Sequence, residues 1–454
     1  MNDKLKYHRN SQISLPGVAK FNYQRYTVDN GIDSSRSVQF VVEGLPDCFI
    51  DLSECYLKTV FRVVNSDGSP IGGVPQVFPM ESFGNCLWSQ VAVGLNNCPL
   101  PVVNDYPYTA HLVDLIGSNS EVRLGVLDPL AGFSAPSYGS SLVKNARPST
   151  YRDNKRLCRD SKEIEVYSRI HSDFLMSCSQ YLPNKMSMRV MLQRTKDEFL
   201  LGTETRKIMD KTTGQEKTLE PGTYKIEVLE CSLFVKRVCL NPTAQALMDK
   251  ELGSGGELLY QRLETIALPC AQGTQTWTWR NCFSNIAPRK AFVALVSQEA
   301  FYGSYERTPL FLESANITSV RFALNGREIM AEPYRTHFEY DKDGTIDKID
   351  TEARGAFAGL CRTIGSFSSV RQYHGTSYND FIDGSTIFAV SLEHAESPGP
   401  SHGSFDINIS FAKGCDQPYI VIVMGEYPKT ISFDANRNIS FPELTGMLDC
   451  PSFF

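Results

Sequence analysis

The sequence predicts a mostly-β protein made of two tandem jelly-roll β-sandwiches with short helices in the loops, and three observations predict it. Apolar and polar residues alternate over most patterned segments, the chain repeats itself imperfectly, and helical periodicity is confined to short stretches between strands. Periodicity alone leaves an immunoglobulin-like pair of sandwiches open. The helices between strands favour jelly rolls.

The strands follow in order. In Ser37–Glu43, Val38, Phe40 and Val42 alternate with Gln39 and Glu43. Tyr56–Val64 places Leu57, Phe61 and Val63 on one side and Lys58 and Arg62 on the other. Met186–Arg194 sets Met186, Met188, Val190 and Leu192 against Ser187, Arg189 and Gln193. Each reads as a half-buried antiparallel strand, because successive side chains point to opposite faces and one face meets a core. Tyr224–Val235 changes phase, burying Ile226 and Val228 and then Leu229, Cys231, Leu233 and Val235, as a β-bulge would produce. Phe405–Lys413 alternates cleanly, and Tyr419–Met424, apolar on both sides, predicts an interior strand. Helices are expected at Thr243–Leu252 and Thr345–Gly365, with a short turn at His111–Gly117.

The repeat has three anchors in the same order. Val91–Asn97 matches Val320–Gly326, each a strand ending in an Asn-rich turn suited to positive φ. Met186–Arg194 corresponds to Phe405–Lys413, and Tyr224–Val235 to Tyr419–Ile431. The expected organisation is a basic arm at 1–36, a first roll at 37–240, a linker at 241–256, a second roll at 257–435 and a tail at 436–454. Most of the extra length of the first copy is the polar stretch Thr195–Thr223, read as either an outer tower or an excursion without structure.

Composition excludes several classes. The chain has 454 residues, 45 Lys+Arg against 51 Asp+Glu, and a net charge of −6, which gives no global field for gripping a polyanion. With 42% hydrophobic and 11% aromatic residues it is too apolar to be disordered. The 13 cysteines are scattered without a Cys-x-x-Cys pair, and Met1–Asn10 is too polar for a secretory signal, so reduced thiols are expected. No apolar run is long enough to span a membrane as a helix.

Candidate sites are weak. Asp341, Asp343 and Asp347 with Glu352 resemble a calcium loop, but the glycine sits at the fourth position, and a polar turn is the simpler reading. Ser172 and His171 are adjacent, whereas a catalytic pair converges across a fold. Trp88, Trp277 and Trp279 could stack on sugars in a lectin-like sandwich; core packing is the simpler reading. No catalytic, cofactor-binding or metal-ligating residue is assigned, and no cofactor is expected. The arm carries Lys4, Lys6, Arg9, Lys20, Arg25 and Arg36 against Asp3, Asp29 and Asp33. It could contact genomic DNA, although tying to neighbouring or to its own rolls is favoured. Lys144–Arg159 reads as a solvated basic loop.

Several stretches together resemble the double jelly-roll major capsid proteins of Polinton/Maverick-type elements and adintoviruses, a group related to virophage and adenovirus hexon-like proteins. They are Tyr56-Leu57-Lys58, Leu87–Asn96 with Tyr106–Ala110, Arg169–Asp173, Gln193–Phe199, Ala300–Tyr305, and Val423–Tyr427 with Asp434–Asn438. The resemblance covers roughly residues 38–440. It departs after Tyr108, where a long amphipathic helix is expected, and in the tail. It implies a non-enzymatic structural protein: a homotrimeric, pseudo-hexagonal capsomer of an icosahedral shell. It further implies penton or minor capsid partners, a virion location and assembly in the host cytoplasm or nucleus. A penton or minor capsid protein, and a carbohydrate-binding double sandwich, are the alternatives.

Overall fold

In the computed structural model the chain folds as two jelly rolls with matching connectivity. The structure describes residues 3–7, 18–28, 37–73, 75–132, 156–203, 206–209, 216–219, 222–340, 346–347, 351–365, 376–392 and 403–441. The first roll contains β1 (Val18–Thr27), β2 (Ser37–Val42), β3 (Cys48–Asn65), β4 (Trp88–Leu95), β5 (Cys98–Pro99), β6 (Ile164–Arg169), β7 (Met188–Arg194) and β8 (Tyr224–Leu240). The second contains β9 (Gly256–Cys270), β10 (Thr276–Trp279), β11 (Lys290–Ser297), β12 (Ile317–Leu324), β13 (Arg327–Glu328), β14 (Phe388–Ser391), β15 (Phe405–Phe411) and β16 (Tyr419–Phe433).

In the first roll the sheets run β1-β8-β3-β6 and β2-β7-β4-β5; in the second they run β9-β16-β11-β14 and β10-β15-β12-β13. Every pairing is antiparallel, and each strand of one roll has its counterpart eight strands later. First and last strands lie side by side in each roll, the wrap of a jelly roll.

Side-chain alternation places the cores as the sequence requires. Val190 and Leu192 of β7, and Ile407 and Ile409 of β15, are buried while their neighbours face outward. Strand β11 is buried at every residue and β16 at nearly every one, because β16 sits between β9 and β11 in its sheet. Two Asn-rich turns close the paired hairpins: Asn96-Asn97 (φ 45° and 66°) and Asn325-Gly326 (φ 53° and 76°). Positive φ at both central residues matches the right-handed twist of the flanking strands. Helix α3 (Pro242–Glu251) links the rolls, started by Asn241, whose side-chain oxygen accepts from the Ala244 N–H at 2.8 Å. Gly255 (φ 86°) then turns the chain so close to the Phe433 carbonyl that a Cβ would collide with it.

Five expectations are corrected. Within the stretch expected as an arm, Val18–Thr27 is β1, paired with β8 along its whole length. The register of β8 shifts between Val228 and Glu230, yet Leu229 is the extra residue and is exposed rather than buried. The helix expected at Thr345–Gly365 is only α5 (Arg354–Thr363); before it, Tyr340 bridges Ile346 and His337 bridges Glu352, so strand-like hydrogen bonds override the helical pattern. The turn expected at His111–Gly117 belongs to a three-turn helix, α1 (Tyr106–Gly117), entered through Pro107. Thr195–Thr223 is not featureless: Leu201–Thr203 pairs with Val77–Pro79, and Arg206–Met209 pairs with Glu216–Leu219.

Candidate assembly interface

The first roll meets the second along the free edge of β9, the edge turned away from β16. An unpaired strand edge presents a row of N–H donors at alternate residues. Here those of Glu257, Leu259 and Gln261 are each taken by a group from the first half of the chain. The Tyr7 carbonyl accepts from Glu257 at 2.9 Å, Gln180 Oε1 from Leu259 at 3.1 Å, and Ser177 Oγ from Gln261 at 2.8 Å. Gln180 also donates from Nε2 to the Lys6 and Glu257 carbonyls. Two side chains and one backbone carbonyl thus stand in for a neighbouring strand.

Ser177 ends the short helix α2 (Asp173–Ser177), whose Phe174 ring packs edge-on against Tyr260 of β9 at 5.6 Å. From α1, Thr109 Oγ1 donates to Thr265 Oγ1 at 2.7 Å, and Tyr108 stacks at 5.3 Å on Phe301 of the short helix α4 (Gln298–Tyr302) and donates to the Pro309 carbonyl. Every residue of α1 from Tyr106 to Ile116 is buried, because one side lies on its own roll and the other on the second roll. Desolvation in this seam raises the Asp173 carboxyl to about 6, opposed by the neighbouring Phe174 N–H and the Arg262 charge.

A bolt closes the far end. Arg437 donates to the Leu252 carbonyl at 3.0 Å and to the carbonyl and side-chain oxygens of Asn184 at 3.2 Å each; its own carbonyl accepts from Asn96 at 2.8 Å. Tyr7, 1% exposed, donates to the Tyr181 carbonyl and meets Phe433 edge-on.

The counterpart of β9 in the first roll is β1, and among the described residues no strand or helix lies on its outer edge. All but one of its ten residues are exposed, with Phe21 at 64% and Tyr23 at 45%. Among the described residues no backbone group on its outer edge has a partner. Among the described residues strand β1 is held from one side, by its ladder with β8, by Arg25–Glu230 at 2.9 Å and Tyr23–Glu54 at 2.8 Å, and by Arg237, which donates to Gln24 at 2.8 Å and to Tyr26. The counterpart of α1 is α5, which also lies between the fifth and sixth strands of its roll. It buries Ala356, Gly359, Leu360 and Thr363 but exposes Arg354, Gly355 and Arg362. So the chain holds one finished junction, α1 and α2 on β9, and one unfinished set of the same parts: a bare β1 and a half-covered α5.

The residues weighed from sequence fall elsewhere. His171 is 2% exposed, its Nε2 lies 2.8 Å from Asp114 Oδ1, and its N–H donates to Tyr106 Oη at 2.9 Å; Ser172 Oγ turns to Asp173. This is a closed structural network around α1. Trp88 is buried in the first core. Trp277 and Trp279 stack at 6.2 Å on β10, with the Trp277 N–H bonded to the Pro269 carbonyl and Trp279 38% exposed. Asp341–Thr345 of the calcium-like loop and 144–155 of the basic loop lie outside the described residues. Among the described residues, no group of three or more His, Cys, Asp or Glu side chains could hold a metal. Two of the basic residues of the expected arm are neutralised by the first roll: Lys4 by Asp51 at 2.7 Å, and Arg25 by Glu230.

No protein-family model and no curated protein matches the sequence. Solved structures do. A chain of the cryo-EM structure of the Sputnik virophage superposes with a TM-score of 0.61 at 11% identity, over 96% of this chain and 91% of that one. The Faustovirus major capsid protein gives 0.55 at 10% identity over 94% and 92%, and the mavirus major capsid protein 0.50 at 10% over 95% and 92%. The likeness extends through both rolls, so this chain shares their fold.

Proposed function

We propose that this chain is a viral major capsid protein that assembles head to tail into homotrimers, the capsomers of an icosahedral shell. The observation that carries the proposal is the duplicated junction. The second roll accepts the first on β9; the first roll offers an equivalent strand, β1, whose outer edge is unpaired among the described residues, and the second roll offers α5 with one face exposed. A second copy that places its α5 side on β1 repeats between chains the junction already made within one. Three chains then present six rolls in a ring.

The fold shared with the Faustovirus and mavirus major capsid proteins supports this reading. So does the double roll itself, which favours a major capsid protein over a penton or minor one. The sequence stretches quoted above favour kinship with Polinton/Maverick-type elements and adintoviruses. The first roll spans about residues 18–240 and the second 256–433, joined by α3. The function lies in surfaces, and no residue performs chemistry. The protein resides in the virion beside penton or minor capsid proteins. The N-terminal segment ties its own rolls, since Tyr7 and Lys4 are already engaged there, and contact with DNA is secondary.

The test is the mass of the purified protein by light scattering, followed by negative-stain imaging. Trimers of hexagonal outline are expected. A monodisperse monomer across the micromolar range would overturn the proposal. The carbohydrate-binding reading would instead give a monomer whose glycan binding is lost in Trp279→Ala.

A further inference from the structure

Two pairs of thiols, one in each roll, stand where a disulfide would fit. In the second roll Cys270, the last residue of β9, has its sulfur 3.8 Å from that of Cys415, in the turn leading into β16. Both are buried, and the backbone holds them in place: Gly273 N–H donates to the Cys415 carbonyl at 2.8 Å and Cys415 N–H to the Thr274 carbonyl at 3.1 Å. In the first roll Cys48 and Cys239 are directly opposite each other on β3 and β8. Opposed residues of an antiparallel pair have Cα atoms about 4.5–5.5 Å apart, inside the range a disulfide spans. By contrast Cys55, Cys86, Cys158 and Cys231 are buried with no other sulfur of the described residues at hydrogen-bond distance.

We propose that Cys270–Cys415 and Cys48–Cys239 are paired dithiols that close into one disulfide per roll when the protein meets an oxidising medium. The first-roll bond ties the last strand, β8, to the third, β3, and the second-roll bond ties the first strand, β9, to the turn that leads into the last, β16. Closing the second-roll pair requires the sulfurs to approach by roughly 1.8 Å, within reach of side-chain rotation.

The oxidant is a small disulfide such as oxidised glutathione. The Cys270 thiolate attacks one of its sulfurs, forming a mixed disulfide and expelling one glutathione thiolate. The Cys415 sulfur, losing its proton to solvent, then attacks the Cys270 sulfur and expels the second. The pair loses two hydrogens and one glutathione disulfide becomes two glutathiones. Burial raises both thiols, but hydrogen bonds from Cys415 and Thr274 offset part of the rise at Cys270, whereas burial and Cys270 push Cys415 up to about 12, so Cys270 is the better first nucleophile. Burial keeps the exchange slow and leaves the pairs reduced in a reducing cell. The chemistry does not depend on the assembly reading; only its timing, after release of a particle, rests on it.

The test is peptide mapping by mass spectrometry of the native protein, alkylated after incubation with reduced or with oxidised glutathione. The expected result is two linked peptide pairs, Cys270 with Cys415 and Cys48 with Cys239, only after oxidant. Thermal unfolding should rise by roughly 5 °C or more, reversed by dithiothreitol and absent in the Cys48→Ser, Cys270→Ser double variant. Free thiols at all four positions after oxidant, or links to Cys86 or Cys158, would overturn the proposal. Because the mapping needs only the unaltered chain, monomeric or assembled, its outcome is separate from that of the trimer test.

Discussion

Strands β1 and β9 occupy the same place in two copies of one fold, and they differ in what touches them. Strand β9 has its outer edge capped by Tyr7, Gln180 and Ser177 and its face covered by Phe174. Among the described residues strand β1 has neither, and it exposes Phe21 and Tyr23. A fold repeated within one chain carries its own control: what one copy buries shows what the other lacks. The same contrast separates α1, buried throughout, from α5, buried on one face.

The largest expected effect tests the finished side. Phe174 is fully buried against Tyr260, so Phe174→Ala should destabilise the monomer by about 3–5 kcal/mol, read by denaturant unfolding. The unfinished side should respond in the opposite way. Phe21→Asp on β1 should leave monomer stability within about 0.5 kcal/mol of the parent, yet weaken self-association at least roughly 100-fold in sedimentation. If both variants cost the monomer alike, the contrast between the strands is wrong. A smaller loss, about 2 kcal/mol, is expected for Gln180→Ala, which strands the Leu259 N–H and two carbonyls at a buried edge. Deleting residues 1–28 should now impair folding of the first roll, since it removes β1 as well as the Tyr7 contact; circular dichroism of that truncation would reveal it.

The smallest effect concerns pH. Glu81 precedes the buried turn Phe83–Cys86, and burial raises its carboxyl to about 8. The unfolded chain releases that proton near pH 4.3, so the folded state binds more protons between about pH 4 and 8. The stability from this group is therefore complete below pH 4 and declines as pH rises through about 8. Glu81→Gln should flatten this slope and stabilise the protein at pH 8 by about 1–2 kcal/mol. Equal pH profiles for the two proteins, measured by thermal melting between pH 5 and 8, would refute it.

The duplication was legible because its signal is local. Hairpin turns at Asn96-Asn97 and Asn325-Gly326, and alternation in Met188–Arg194 and Phe405–Phe411, depend on residues close in sequence. The junction was not, because its parts are brought together by the fold. Arg437 bonds Asn184 across 253 positions, and Gln180 caps β9 with a side chain that has no periodic signature. From sequence helix α1 looks like a turn for a physical reason: a helix buried on all sides has no polar stripe to mark its period. Strand β1 looks like an arm for the converse reason, since both faces are exposed and its Phe21, Tyr23 and Tyr26 stand among lysine, arginine and asparagine. The aromatic, β-favouring residues of that segment were the available sign.

The linker helix α3 and the turn at Gly255 set the angle at which the second roll leaves the first. A head-to-tail contact has no symmetry of its own to stop it, so that angle acts as a protractor. If each roll turns by about one sixth of a circle, three chains exhaust the circle and every β1 edge is paid its missing partner. In the proposed assembly, a linker that altered the angle by some degrees would leave the ends unable to meet, and the exposed strand would add copies without limit as a filament.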